Sequence, residues 1–421
     1  MRQMKNSGIE WIGDIPAEWN IVRIGAQYTE RKTKVSDTEY PPLSVTMKGI
    51  LPQLATAAKT DAHDDRKLVC KGDFAINSRS DRRGSCGISE YDGSVSLINT
   101  ILCPRDKMNP QYYGWLFHST MFSDEFYKWG HGIVDDLWTT NWQDMKHISI
   151  PEPSLEEQQK IADFLDRTCA EIDAVIEKTK ATIEEYKKLK QSVITEAVTK
   201  GIRGDRPMKD SGIEWIGEIP ADWQLVKLKY ISEQIGDGIH TTPQYDVDGE
   251  YYFLNGNSIG KDCLIFKENT DKLNCDEYEK YKKPFINANT IMITLNGATY
   301  GKTSFYNNEK VLLGKSAGYI TLRANTNRRF IRYYLQSHSA YKIMEVSLCG
   351  TTIQNLSLTT LRNFPTPFPK SEEQNQIADY LDKKCAEIDT LIAKKTTLLE
   401  EMENYKKSVI YEYVTGKKEV M

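Results

Sequence analysis

The chain has 421 residues, with 55 Lys+Arg against 59 Asp+Glu, a length that suggests two to four domains at about 100–200 residues each. A make-up of 39% hydrophobic and 27% charged residues excludes a disordered chain, and no run reaches the roughly 18 apolar residues of a membrane helix. The net charge of −4 gives no global pull toward nucleic acid or anionic lipid, so any such binding must rest on local patches.

The N-terminus, MRQMKNSGIEWIG, lacks the apolar core of a signal peptide, which implies a cytoplasmic protein. Eight cysteines without a CxxC pair read as reduced thiols, not as a disulfide scaffold or zinc ribbon. The leader MKNSGIEWIGDIPAEW (4–19) returns as MKDSGIEWIGEIPADW at 208–223, with 13 identities in 16 positions. Further on, EEQQKIADFLDRTCAEID (156–173) returns as EEQNQIADYLDKKCAEID at 372–389, with 13 of 18 identical. The offset grows from 204 to 216, so the second copy holds 12 more residues between its matched segments. Near-identical frames thus enclose two inserts, 20–150 and 224–366, that show no comparable register. Frames kept alike around divergent inserts imply one shared task and two different ones.

In the first insert, KLVCKGDFAINSR (67–79), GISEYDG (87–93) and VSLINTILCP (95–104) read as strands, and QYYGWLFHSTMFSDEFYKWG (111–130) has helical spacing. Arg79, Arg82 and Arg83 crowd one turn region between strand-like runs. A helix then begins at Ser154, whose spacing to Glu157 is a capping-box signal, as is that of Ser371 to Gln374 in the second copy. Apolar residues recur as Ile161, Leu165, Ile172, Val175, Tyr186, Leu189 and Val193, then as Ile377, Leu381, Ile388, Leu391, Leu398, Met402, Tyr405 and Val409. Alternating threes and fours make this a coiled-coil seam, ended by Gly201 and Gly416 at the C-terminal caps. Each helix would hold about 46 residues and span near 70 Å. Two matching seams in one chain most simply bury each other, although a dimerisation rod would show the same pattern. Thr179 and Lys395 share one heptad position, a polar break able to set register. The helices are acidic, 10 Asp+Glu to 8 Lys+Arg in 154–200 and 10 to 6 in 371–415, which suits a spacer or docking surface better than a DNA-contact face.

The second insert shows GEYYFLNGNSIG (249–260), NTIMITLNGATYGKTSFY (290–306) and VLLGKSAGYITL (311–322) as β-like runs, then a helical RRFIRYYLQSHSAYKIM (328–344). Residues 225–366 carry 17 Lys+Arg against 13 Asp+Glu, whereas 20–150 balance at 16 each. Here His240, Thr241, Thr242, Asn296, Tyr300, Lys302 and Lys315 interleave basic, amide and aromatic groups. Arg forks read guanine and Asn reads adenine in the major groove, while Lys and Thr serve phosphates.

Enzyme signatures fail on spacing. GATYGKT (297–303) has Asn296 where a phosphate loop requires its first Gly, and LLGKS (312–316) has Glu309 there. No GxSxG, HExxH or GxGxxG occurs, and the six histidines (63, 118, 131, 147, 240, 338) lack metal-ligand spacing. The expectation is a chain without catalytic residues, resident cofactor or metal.

The paired GIEWIG leaders, the EEQ..IA..LD helix starts at 156–166 and 372–382, and GDFAIN (72–77) with GISEYDG (87–93) resemble the specificity subunit of type I restriction-modification systems. The resemblance spans essentially the whole chain. It implies an α+β architecture: two globular target recognition domains separated by two long antiparallel helices in an intramolecular coiled coil, a pseudo-two-fold internal repeat. The expected domains are 1–150 (leader and first recognition domain), 151–203 (central helix), 204–366 (leader and second recognition domain) and 367–421 (C-terminal helix). It further implies double-stranded DNA with a bipartite target as ligand, and two methyltransferase subunits plus motor-nuclease restriction subunits as partners. No membrane is involved. S-adenosylmethionine, ATP and Mg would reside in those partners. Domains reading one face of the duplex must lie near one helical turn apart, about 34 Å. A stand-alone two-domain DNA-binding or anti-restriction protein on the same scaffold is the alternative.

Overall fold

The structure, a computed structural model, describes residues 2–53, 64–105, 107–132, 138–348 and 355–420; His63 and Cys349 lie outside these. The chain divides into two units, Met1–Lys180 with Thr396–Met421, and Ala181–Lys395. Both boundaries fall inside long helices.

In the first unit, β1 (Met4–Asn6) and β2 (Asp14–Pro16) form a hairpin around the GIEWIG turn. That turn needs left-handed backbone at Gly8 (φ 73°) and Gly13 (φ 68°), which explains why both positions are glycine in both copies. Then follow β3 (Asn20–Arg23), the single turn α1 (Ile24–Gln27), β4 (Tyr28–Glu30), β5 (Lys34–Val35), β6 (Leu43–Thr46), β7 (Gly49–Pro52), β8 (Arg66–Val69), β9 (Phe74–Asn77), β10 (Cys86–Ile88), β11 (Gly93–Ser96) and β12 (Asn99–Pro104). The main sheet is antiparallel in the order β10-β9-β12-β4, beside a smaller sheet β11-β8-β5 and the hairpin β6-β7. The predicted helix 111–130 is two helices, α2 (Pro110–His118) and α3 (Thr120–Lys128), because Ser119 leaves helical geometry to cap the second. After α4 (Trp142–Met145), β13 (Ser149–Glu152) pairs with β3 and leads into α5 (Leu155–Lys200).

The second unit repeats this plan. Hairpin β14 (Met208–Asp210) with β15 (Glu218–Pro220) precedes β16 (Gln224–Lys227), α6 (Leu228–Ile231), β17 (Ser232–Asp237), β18 (Tyr251–Leu254), β19 (Lys272–Leu273), α7 (Cys275–Tyr281), β20 (Thr290–Thr294), β21 (Thr303–Phe305), β22 (Val311–Leu313) and β23 (Ala317–Leu322). Its main sheet, β21-β20-β23-β17, is the first unit's sheet strand for strand, whereas its small sheet β19-β18-β22 joins β18 to β22 in parallel. Helices α8 (Arg328–Leu335) and α9 (His338–Val346) again break at a capping serine, Ser337. After α10 (Leu358–Arg362), β24 (Pro365–Phe368) pairs with β16 and feeds α11 (Ser371–Val414).

The EEQ motif is the lock of each unit. Glu157 accepts from Trp19 Nε1 at 2.7 Å and pairs with Arg2 at 2.5 Å. Glu373 repeats both contacts with Trp223 (3.0 Å) and Arg206 (2.5 Å), and is itself buried. The neighbouring Gln158 donates to Pro153 O and accepts from Asn109 N, the cap of α2; Gln374 does the same with Pro369 O and Asn327 N. The capping-box reading is therefore half right at Ser154, whose Oγ accepts from Glu157 N (3.3 Å). The Glu157 and Gln374 side chains do not turn back to the serine, because the leader and the α2 or α8 cap offer them buried donors instead.

Within the first unit the opening of α5 and the end of α11 pair antiparallel: Phe164 packs against Tyr413 with tilted rings and Lys406 bonds Asp173 at 2.6 Å. Within the second, Lys190 bonds Asp389 and Arg203 bonds Gln376, again antiparallel. The seam itself differs from the predicted one. Cys169, Ile176, Thr179 and Ile183 are buried, whereas Val175, Leu189, Leu391 and Tyr405 are exposed. After Ile172 the stripe steps by four, not three, and carries the buried face away from Val175. Thr179 answers its own burial by donating to Val175 O (2.8 Å). Gly201 and Gly416 are left-handed caps as expected; at Gly416 a Cβ would also meet Pro16 at 2.4 Å, because the leader lies against the helix end. The seven described cysteines form no disulfide, and no described helix is long and apolar enough to cross a membrane.

Removing the Glu373 carboxylate leaves the buried Trp223 indole N–H without its acceptor and the half-buried Arg206 with Asp222 alone. Glu373→Ala should destabilise the second unit by about 1–3 kcal/mol. Hydrogen exchange of residues 206–223 in denaturant would register it, and the same change at the exposed Glu156 should leave stability unchanged.

Candidate nucleic-acid interface

Sheet register defines two ends in each unit. Strand β12 runs from Asn99, opposite Asn77, to Pro104, opposite Tyr28, which directly follows the frame strand β3 and α1. In the second unit β23 runs from Ala317, opposite Thr294, to Leu322, opposite Ser232. The connection between β9 and β10, and that between β20 and β21, therefore leave their sheets at the end remote from the frame.

The candidate residues of the second insert collect at this remote end although they come from three separate segments. His240, Thr241 and Thr242 follow β17, whose last residue Asp237 opposes Gly318. Asn296, Tyr300 and Lys302 lie in the β20–β21 connection, and Lys315 lies in the turn before β23, where Leu295 N donates to Ser316 O (2.8 Å). His240, Thr241, Thr242 and Lys315 are exposed, and Asn296 and Lys302 are half-buried. His240 Nε2 sits 2.9 Å from Asp237 Oδ2. Tyr300 stands apart. It is 9% exposed, stacks on Tyr341 with ring centroids 5.7 Å apart, and belongs to the unit's apolar core. Burial and its hydrogen bond to Tyr341 push its hydroxyl up to about 12, so it is a protonated core side chain.

In the first unit, Arg79, Arg82 and Arg83 occupy the β9–β10 connection around a single 3-10 turn, Ser80–Arg82. Asp81 lies between two of them, 3.5 Å from Arg79 Nε and 3.7 Å from Arg82 Nε. Arg83 turns back onto α3, donating to Asp124 at 3.2 Å with its guanidinium 5.1 Å from the Tyr127 ring centroid. Exposed pairs of this kind contribute about 0–1 kcal/mol, so exchanging them for an anion costs little. Three residues at this end escaped the sequence reading. Leu97 and Ile98 form an exposed turn between β11 and β12, which the sequence presents as one continuous apolar strand. Lys67 is there too, donating to Asn99 O (2.7 Å), and burial pulls its ammonium below the usual lysine range.

The family model for the type I restriction modification DNA specificity domain matches this chain twice, at residues 28–185 and 220–401, once for each insert with its helix. The chain belongs to that family of specificity proteins. It is 26% identical to the type I restriction enzyme MjaVIII specificity subunit of Methanocaldococcus jannaschii, over 96% of this chain and 93% of that one. It is also similar to the StySPI specificity subunit of Salmonella potsdam, at 24% identity over 77% of this chain and 69% of that one. Among solved structures, the HsdS subunit of Thermoanaerobacter tengcongensis shares the fold with a TM-score of 0.54 at 17% identity, covering 96% of this chain and 98% of that one. A chain from a study of complex assembly in the type I R-M system does so with a TM-score of 0.73 at 17% identity, covering 96% and 99%.

Placement of Tyr300 in the core gives a direct check. Tyr300→Ala should destabilise the second unit by about 3–5 kcal/mol in denaturant unfolding. Tyr300→Phe should leave duplex binding within twofold, because the hydroxyl faces Tyr341.

Proposed function

We propose that this chain is the DNA-recognition subunit of a type I restriction-modification complex, in which each insert reads one half of a bipartite duplex target. The observation that carries this reading is the repetition of one sheet topology, held by one frame, with its divergent basic and amide residues gathered at the frame-remote end. Shared frame contacts suit a common partner, and divergent ends suit two different half-sites. In this reading the helices act as spacer and as docking surface for two methyltransferase subunits, and motor-nuclease subunits complete the complex. Adenine methylation requires extrusion of the base into a pocket. The chain would therefore be non-catalytic, with S-adenosylmethionine, ATP and Mg handled by partners in the cytoplasm. The weakly acidic overall charge fits a subunit whose phosphate contacts are shared with those partners.

The test is an insert exchange. Replacing residues 20–150 by the corresponding insert of a relative, within the assembled methyltransferase, should change one half of the methylated motif and leave the other intact. Changes in both halves, or in neither, would overturn independent reading. Copurification should also yield about two methyltransferase subunits per chain. Finally, Arg82 is the most exposed of the three arginines at 67% and suits a phosphate. Arg82→Ala should weaken all duplexes alike and lower the salt slope by about one.

A further inference from the structure

The two connections at the remote ends are the same loop. Asn77 N donates to Ser85 O (2.9 Å) and Thr294 N donates to Lys302 O (2.9 Å), so each pair encloses seven residues, SRSDRRG at 78–84 and LNGATYG at 295–301. Both loops close on a left-handed glycine, Gly84 (φ 74°) and Gly301 (φ 76°). Both are fastened at the same place to the segment that leads into the short helix before the frame. Thr140 N donates to Ser78 O (3.0 Å) and Leu356 N to Leu295 O (2.8 Å), next to the isolated bridges Arg79↔Thr139 and Asn296↔Asn355. In each case the cap of that helix, Asn141 or Ser357, follows two residues after the bridged one. Arg79 and Asn296 are therefore equivalent positions, although the inserts share no sequence register.

The rest of the loop divides its roles in the same way. Arg83 and Tyr300 are equivalent, and both turn back onto the second helix of the domain, against Tyr127 and Tyr341 respectively. Their position anchors the loop. Position 79/296, pinned by its backbone on both sides, is the one in which a side chain leaves a fixed Cα. A fixed origin is what base readout requires, because discrimination depends on a hydrogen-bond fork held within a few tenths of an ångström. The two residues found there, arginine and asparagine, are the pair whose planar forks match guanine and adenine in the major groove. Beside Arg79, Asp81 lies 3.5 Å from Nε.

We infer that Arg79 and Asn296 are the corresponding specificity-determining residues of the two domains, Arg79 reading a guanine in one half-site and Asn296 an adenine in the other. This rests on the proposed DNA-recognition function. The full chain, coexpressed with its methyltransferase subunits, first yields the target as the adenine-methylated motif in host DNA. Thirty-base-pair duplexes carrying that motif, with every single substitution, are then the binding probes.

Arg79→Ala should lose about ten- to hundredfold discrimination at one base pair of one half-site, and Asn296→Ala the same at one base pair of the other. Arg79→Asn should move the preference at that pair from guanine toward adenine, which a merely structural residue would not do. Should Arg79→Ala fold poorly, Arg79→Lys keeps the charge without the fork, and should retain the salt slope while losing the discrimination. Uniform weakening across the panel, unchanged discrimination, or effects of both variants on one half-site would each overturn the inference. If the unaltered complex itself discriminates no half-site, the DNA-recognition reading fails instead.

Discussion

One carboxylate in each unit, half-buried at Glu157 and buried at Glu373, determines what the remainder can be. Glu157 and Glu373 stand in the first turn of the long helices and hold an indole and a guanidinium from the leader hairpin. A carboxylate withdrawn from water is tolerable only with such partners in place. The leader, the helix start and, through the adjacent glutamine, the cap of α2 or α8 are therefore fixed together. Everything between the leader and the helix is held at both ends by that junction. The intervening strands can then change sequence without altering where their sheet begins and ends.

This explains what could be read in the sequence. The frames were legible because the lock tolerates little: tryptophan, arginine, glutamate and glutamine must each meet a specific buried partner, so both copies stay nearly identical. Identity did not guarantee environment, however. Trp11 is buried against Phe122, whereas its counterpart Trp215 is 40% exposed, because the position matching Phe122 on the second unit's helix is Ala340. Helical periodicity located the long helices but misplaced part of the seam, since a single step of four after Ile172 is invisible among alternating threes and fours. In the inserts the strands are two to six residues long and the central ones, β9, β12, β20 and β23, are buried largely on both faces, so neither alternation nor register can be recovered from them. The equivalence of Arg79 with Asn296 emerges only from backbone pairing.

The two ends of each sheet thus obey different physics. At the frame end, aromatic and apolar side chains are packed to near-complete burial, and a substitution is felt as a cavity or an unpaired polar group. At the remote end, the core anchor Tyr300 apart, side chains meet in exposed ion pairs and turns, where exchange is nearly neutral for stability. Variation is tolerated where it alters recognition, and stability resides where variation is absent.

The composition of the first unit has a consequence for biosynthesis. The second unit is one continuous stretch, Ala181–Lys395, but the first requires Thr396–Met421. Tyr112 donates to Val414 O and Lys417 to Ile12 O, contacts between residues 302 and 405 positions apart. At about 5–20 residues per second, a ribosome needs roughly 10–50 s to advance from the end of the first stretch to these closing residues. During that interval Trp11, Ile12 and Tyr112 lack their final cover, while the second unit has its whole chain available first. The later unit in the sequence is the earlier one able to fold, and the first is completed only by helical turns synthesised after the whole of the second.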